Sequence, residues 1–276
     1  MSNTRQIVIT GGKGGTGKST FAILLSLKLA KEGKKVVLCD ADVECPNDHL
    51  ILGMDLSDGE VIYQDFPEID NEKCTRCGKC VEQCRFNALF MLKGQKPQIV
   101  KDLCCGCGLC WVICPEGAIT SKKEACGVSF TNKVSDNLWL VTGRSRAGVE
   151  ESGPIVKETK MRARKLAEKM GADVLLVDSA AGTHCSVINA LTDSELAYVV
   201  TEPTPLGAND SKLMLDLLKI IGIPSEIVLN KSGIARDEVI ENLAKSKNVK
   251  ISYRIPYSKD LVEAYSKGKL NEVDLI

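Results

Sequence analysis

Short, unbroken apolar runs recur along this chain, and stretches whose apolar positions return every three or four residues fill the gaps between them. The runs are Ile7-Val8-Ile9-Thr10, Lys35-Val36-Val37-Leu38-Cys39-Asp40, Trp139-Leu140-Val141-Thr142 and Asp173-Val174-Leu175-Leu176-Val177-Asp178. Continuity over so few residues suits strands buried on both faces, as in a parallel sheet covered by helices. Phe21 to Lys31 has helical spacing. Residues 155–170 place Val156, Thr159, Ala163, Leu166 and Met170 on one face, with Lys157, Lys160, Arg162, Arg164 and Lys165 on the outer one. Beyond Gly171 the alternation continues: Leu196 to Thr201, Asn209 to Ile221, Glu226 to Asn230, Asp237 to Lys247, Val249 to Ile255 and Lys259 to Lys267. The pattern predicts an α/β fold with a doubly wound, mostly parallel sheet.

From about Asp65 the pattern breaks. Cys74-x-x-Cys77-x-x-Cys80-x-x-x-Cys84 is repeated thirty residues later as Cys104-x-x-Cys107-x-x-Cys110-x-x-x-Cys114-Pro115, and residues 69–90 align with 99–120 without a gap. Gly78 falls on Gly108, Val81 on Trp111, Ala88 on Ala118 and Leu89 on Ile119. Two copies of one unit can bury apolar faces that neither could bury alone. The chain therefore divides into a discontinuous α/β domain, residues 1–64 and 126–276, and an inserted α+β unit, residues 65–125.

Between the first run and the first helix lies Gly12-Lys13-Gly14-Gly15-Thr16-Gly17-Lys18-Ser19-Thr20, which fits the phosphate-cradling pattern G-x-x-x-x-G-K-[ST] in its strand-to-helix context. Glycines let backbone N–H groups turn onto phosphate, Lys18 reaches the outer phosphates and Ser19 can ligate magnesium. Asp178, ending an apolar strand, is the Walker B acid that holds magnesium through water.

Lys13 lies in the flexible half of this loop, so two lysines bracket the glycines. In this the sequence resembles the deviant P-loop ATPases, the superfamily that includes MinD, ParA and the nitrogenase iron protein. The resemblance implies that Lys13 reaches a partner's nucleotide in an ATP-closed homodimer. It further implies that Asp42 positions the attacking water, that Asp40 sits nearer the magnesium shell, and that Asn230 contacts adenine, with Pro256 lining the same pocket. Ser179-Ala180-Ala181-Gly182 resembles the second switch, with alanines where the family often has proline. The closing Asn271 to Ile276 is short and acidic, unlike the amphipathic tail that takes MinD to membranes.

The cysteine spacing is that of bacterial two-cluster ferredoxins, in which each fourth cysteine ligates the other cluster. Cys74, Cys77, Cys80 and Cys114 then hold one 4Fe-4S cluster, and Cys84, Cys104, Cys107 and Cys110 the second. Structural zinc uses two separated pairs, a different arrangement. Arg85 stands where the second run has Pro115, and Cys105 reads as a non-ligand.

Thirteen cysteines in 276 residues are too many for core filling, and in an intracellular chain they point to metal. Thirty-six basic and 36 acidic residues cancel, which argues against duplex DNA as partner, and 4% aromatics argues against stacked single strands. No apolar run reaches membrane-span length, so a cytoplasmic protein is expected. The leading reading is an ATPase that couples ATP/ADP-driven dimer closure to electron transfer through two 4Fe-4S clusters toward a redox or metalloprotein partner. The alternative is an ATP-dependent assembly factor that delivers clusters or metallocofactors. A ParA-like DNA-positioning role fits the neutral charge poorly.

Overall fold

The computed structural model describes residues 4–149, 151–270 and 273. The acidic C-terminal tail expected from the sequence thus lies, except for Val273, outside the described residues. Seven parallel strands form the centre of the sheet. In chain order they are β1 (Arg5–Thr10), β2 (Val36–Asp40), β7 (Leu138–Ser145), β8 (Val174–Asp178), β9 (Leu196–Thr201), β10 (Ser225–Ser232) and β11 (Ile251–Pro256). Two further strands, β3 (Glu60–Ile69) and β6 (Ile119–Lys133), extend one edge antiparallel, giving the order β11-β10-β9-β1-β8-β2-β7-β6-β3. Neighbours of β1 lead away in opposite directions along the sheet, and such a switch point opens a crevice at the strands' carboxyl ends.

Helices cover both faces. Ile7, Ile9, Leu38 and Leu176 pack against α1 (Lys18–Lys31), α2 (Asp48–Ile51) and α9 (Lys259–Ser266). Val8, Val37, Leu175 and Val177 face α5 (Gly153–Met170), α6 (Cys185–Leu191), α7 (Pro205–Ile221) and α8 (Glu238–Lys247). Successive residues of one strand thus feed opposite cores, which is why the runs are apolar without alternation. The parallel α/β pattern read from the sequence is present. Helix α7 starts four residues earlier than expected because Thr204 caps it, its hydroxyl accepting from the Gly207 N–H at 3.0 Å, with Pro205 in the first turn.

Lys160 corrects the outer face assigned to α5. It is buried, and its ammonium donates to the carbonyls of Asn189 and Thr192 at 2.6 and 2.7 Å, closing the end of α6.

The strands β3 and β6 run through both boundaries drawn at 64/65 and 125/126. The cysteine-bearing stretch is therefore carried on a ribbon continuous with the main sheet. Its own core is small, with Cys80, Leu89 and Ile119 buried against Ile69, Ile99 and Trp111. Within it the sequence repeat becomes a two-fold exchange. Ile69 pairs with Ile119, while Leu89 pairs with Ile99 between β4 (Leu89–Phe90) and β5 (Gln98–Ile99). Likewise the Asp70 N–H donates to Ala118 O at 2.7 Å and the Val100 N–H to Ala88 O at 2.8 Å. Each copy closes against the start of the other. Gly78 and Gly108 cap the matching one-turn helices α3 (Lys79–Glu82) and α4 (Leu109–Val112) at φ of 77° and 80°, a backbone position costly for other residues.

Candidate functional site

The crevice at the carboxyl ends of the strands is a cavity of about 440 Å³. Gly14, Gly15, Gly17, Lys18, Ser19 and Thr20 line it along with Asp42, Asn230 and Pro256. The loop between β1 and α1 turns through left-handed Gly15 and Gly17, and the latter caps α1. A methyl group on Gly17 would lie 2.1 Å from Asn230 Nδ2, so glycine is required there for approach as well as for φ. Asn230 itself donates to Thr16 O at 2.8 Å, so its amide nitrogen supports the loop while the residue lines the cavity.

Lys18 is buried, with its ammonium donating to Lys13 O at 3.1 Å. Burial pulls its pKa down, and the carboxylates of Asp178 and Asp42 oppose that shift. Ser19 Oγ donates to Asp178 Oδ2 at 2.6 Å. Register sets Asp40 directly beside Asp178 on adjacent parallel strands. Asp40 accepts N–H bonds from Asp42, Asn47 and Asp48, whereas Asp178 Oδ1 is buried with no donor among the described residues. Burial raises the pKa of Asp40 and of Asp178, the latter to about 7, and burial likewise raises that of half-buried Asp42.

Three residues of this site escaped the sequence reading. Asp48 is fully buried beside Asp40 and Asp178, and its only sequence signal is an acid at the head of a short apolar stretch. Glu202 accepts from both Lys13 and Lys231, at 3.3 and 3.0 Å, and Lys231 also donates to Gly15 O at 3.0 Å. Glu202 thus holds Lys13 within its own chain. No motif marks an acid after β9, because the contact arises from strand order.

Gly12 completes the loop against α7, where a Cβ would meet Asp210 O at 2.4 Å. In the cysteine unit, Cys84, Cys104, Cys107 and Cys110 line one cavity along with Cys80, Cys105 and Trp111. Cys80 has Cys74 and Cys77 as electrostatic neighbours, and Cys104 has Cys107 and Cys84. Burial holds the thiols of Cys80 and Cys104 above their ordinary pKa and pushes Cys110 up to about 11. The Ala118 N–H donates to Cys114 Sγ at 3.3 Å. His184 and Ser186 bond each other at 2.8 Å at the start of α6, away from the cysteine unit.

No helix among the described residues is long and apolar enough to cross a membrane. Residues 7–271 match the CobQ/CobB/MinD/ParA nucleotide binding domain. An uncharacterized protein of Methanocaldococcus jannaschii is 36% identical over 272 residues, covering 98% of this chain and 92% of that protein. The septum site-determining protein MinD of Thermotoga maritima is 23% identical over 270 residues, 95% of this chain and 79% of its own. Among solved structures, MinD complexed with Mg-ADP from Pyrococcus horikoshii superposes with a TM-score of 0.59 at 20% identity, over 96% of this chain and 86% of that one. With its glycine loop, Lys18 and Asp42 in one crevice and Asp178 bonded to Ser19, the chain belongs to the CobQ/CobB/MinD/ParA nucleotide-binding family and is a P-loop ATPase of the MinD and ParA type.

Proposed function

We propose that this protein binds and hydrolyses ATP as a homodimer and couples that cycle to electron transfer through two 4Fe-4S clusters. The observation that carries the redox half is the crossed pairing of the repeat, which puts Cys84 beside Cys104, Cys107 and Cys110. Sulfur donors converging in an apolar cavity, where burial favours the neutral thiols of Cys104 and Cys110 until a metal takes the proton's place, suit iron–sulfur ligation. Cys74, Cys77, Cys80 and Cys114 form the matching set. Such clusters supply one-electron storage. The chain's own contribution is to gather the sulfurs and to aim N–H groups at them, as Ala118 does at Cys114.

In the nucleotide half, Gly14 to Thr20 cradle the phosphates and Lys18 neutralises the outer ones. Adenine lies between Asn230 and Pro256. Ser19, Asp178 and Asp40 offer hard oxygen donors, and the donor-free Asp178 Oδ1 fits a magnesium site. Magnesium, when bound, offsets charge shared between β- and γ-phosphates. Asp42, half-buried and facing Lys18, orients the attacking water. Lys13 leaves Glu202 to reach the partner's nucleotide when the dimer closes. Asp42→Ala therefore retains ATP with magnesium yet hydrolyses it at least about 100-fold more slowly, leaving a long-lived dimer in size-exclusion chromatography. Native turnover in that variant would remove Asp42 from this role.

A continuous path supports coupling. Val43, next to Asp42, accepts from the Ser145 N–H at 2.7 Å, and Glu44 accepts from Ser152 Oγ at 2.6 Å. Ser145 in turn pairs with Gly127 on β6, the strand that carries the cysteine unit. The test is the reduction potential and the rate of electron transfer to an acceptor with ADP, with ATP, and in Lys13→Ala. These quantities differ between the two nucleotides, and the difference collapses in the variant. Equal values in all three conditions would separate the clusters from the ATPase. The exposed Cys77 and Cys107 favour the second reading, cluster delivery, in which case iron leaves the protein for an apo-acceptor on ATP turnover.

A further inference from the structure

We propose that Asp40, Asp48 and Asp178 form a divalent-cation site that fills before nucleotide arrives, with Asp48 supplying a ligand beyond the P-loop set. One oxygen from each lies within 4.8 Å of the others, and their exposures are 1%, 0% and 1%. Among the described residues, neither oxygen of Asp48 and only one of Asp178 has a hydrogen-bond donor. A buried carboxylate without a donor is costly, and three together are more so, unless a positive charge sits among them.

Lys18 acts on Asp178 through space, but its ammonium and those of the neighbouring lysines make their bonds elsewhere. Lys18 donates to the Lys13 carbonyl, while Lys13 and Lys231 are both held by Glu202. Hard oxygens converging from three elements, with Ser19 Oγ 2.6 Å from Asp178 Oδ2, match the demands of Mg²⁺ or Mn²⁺. The group is also rigid. The N–H of Asp48 donates to Asp40 Oδ2 at 3.2 Å, so the backbone of Asp48 is anchored to the neighbouring acid. The consequence is a loop that meets nucleotide with its cation already in place.

This inference rests on the nucleotide-site reading of Ser19, Asp40 and Asp178, but asks about binding without nucleotide. The full-length protein, stripped of nucleotide and chelator-treated, is titrated with Mn²⁺ while free Mn²⁺ is followed by EPR, and Mg²⁺ is used as competitor. One Mn²⁺ per chain is expected, displaced by Mg²⁺, with affinity weakened at least about tenfold in Asp48→Asn and unchanged in the surface variant Asp136→Asn. A second readout is thermal melting. Asp48→Asn raises the melting temperature of the chelator-treated protein, because a buried charge is gone, and abolishes the rise that Mg²⁺ gives the native chain. Absence of Mn²⁺ binding in a protein that still takes up ATP with magnesium overturns the inference alone, and a proton shared between Asp48 and Asp178 then occupies the site. Equal Mn²⁺ affinity in native protein and Asp48→Asn overturns the assignment of Asp48. Failure to bind either Mn²⁺ or ATP with magnesium overturns the nucleotide-site reading as well.

Discussion

Alanine at Lys18 abolishes triphosphate binding and lowers hydrolysis by at least about 100-fold, an effect of the size seen when one aimed charge is removed from a preorganised site. The reason lies in how few cations can reach the phosphates. Lys18 lies buried at the start of α1, in the cavity lined by the loop. Lys13 and Lys231 are both engaged by Glu202, so neither is free to substitute within the same chain. Removing Lys18 also leaves Asp178 and Asp42 without the ammonium that faces them, which turns a balanced site into a repulsive one for phosphate. The measurement is equilibrium binding of a fluorescent ATP analogue, together with phosphate release. Iron content stays at the native level, because the cysteine unit has its own core. Native affinity in Lys18→Ala would show that the loop does not hold the triphosphate.

The second large effect is the loss of one cluster from a single cysteine in the opposite half of the repeat. Native protein purified without oxygen carries about eight irons and eight acid-labile sulfides per chain, two complete four-cysteine sets being present. Cys84→Ala reduces this to about four irons, and the cluster lost is the one that Cys110→Ala also removes. The double variant Cys84→Ala/Cys110→Ala keeps the same four irons, whereas Cys84→Ala/Cys77→Ala keeps none. This pattern follows from Cys84 and Cys107 being the electrostatic neighbours of Cys104, whereas those of Cys80, four residues before Cys84, are Cys74 and Cys77. Were each run to hold its own cluster, Cys84→Ala/Cys77→Ala would lose only one. One zinc and little iron in the native protein would overturn the cluster reading altogether.

The contrast between these two sites shows what was legible in the chain. The glycine loop is contiguous, so its geometry is written in local backbone preferences: Gly15 and Gly17 take left-handed φ, and an apolar strand and helix flank them. The parallel strands were equally plain, because burial on both faces leaves no polar position to obscure a run. The thirty-residue repeat announced itself through spacing, but its swapped pairing became visible only as Ile69 on Ile119 and Leu89 on Ile99.

Other features depended on contacts between distant segments. The ribbon β3–β6 was missed because the stretch 120–125 of β6 is open to solvent on both faces and carries polar residues such as Lys122, Lys123 and Glu124. Lys160 was assigned to solvent by helical phase, yet the end of α6 offered it two carbonyls. What the chain determined by itself was every element and motif whose chemistry is consecutive: the loop, the buried strands and the two cysteine runs. Only the tertiary structure decided that Asp48 joins Asp40 and Asp178, and that Glu202 restrains Lys13. Those groupings are set by strand order and register, which bring together side chains from remote segments and leave no periodic trace in any one of them.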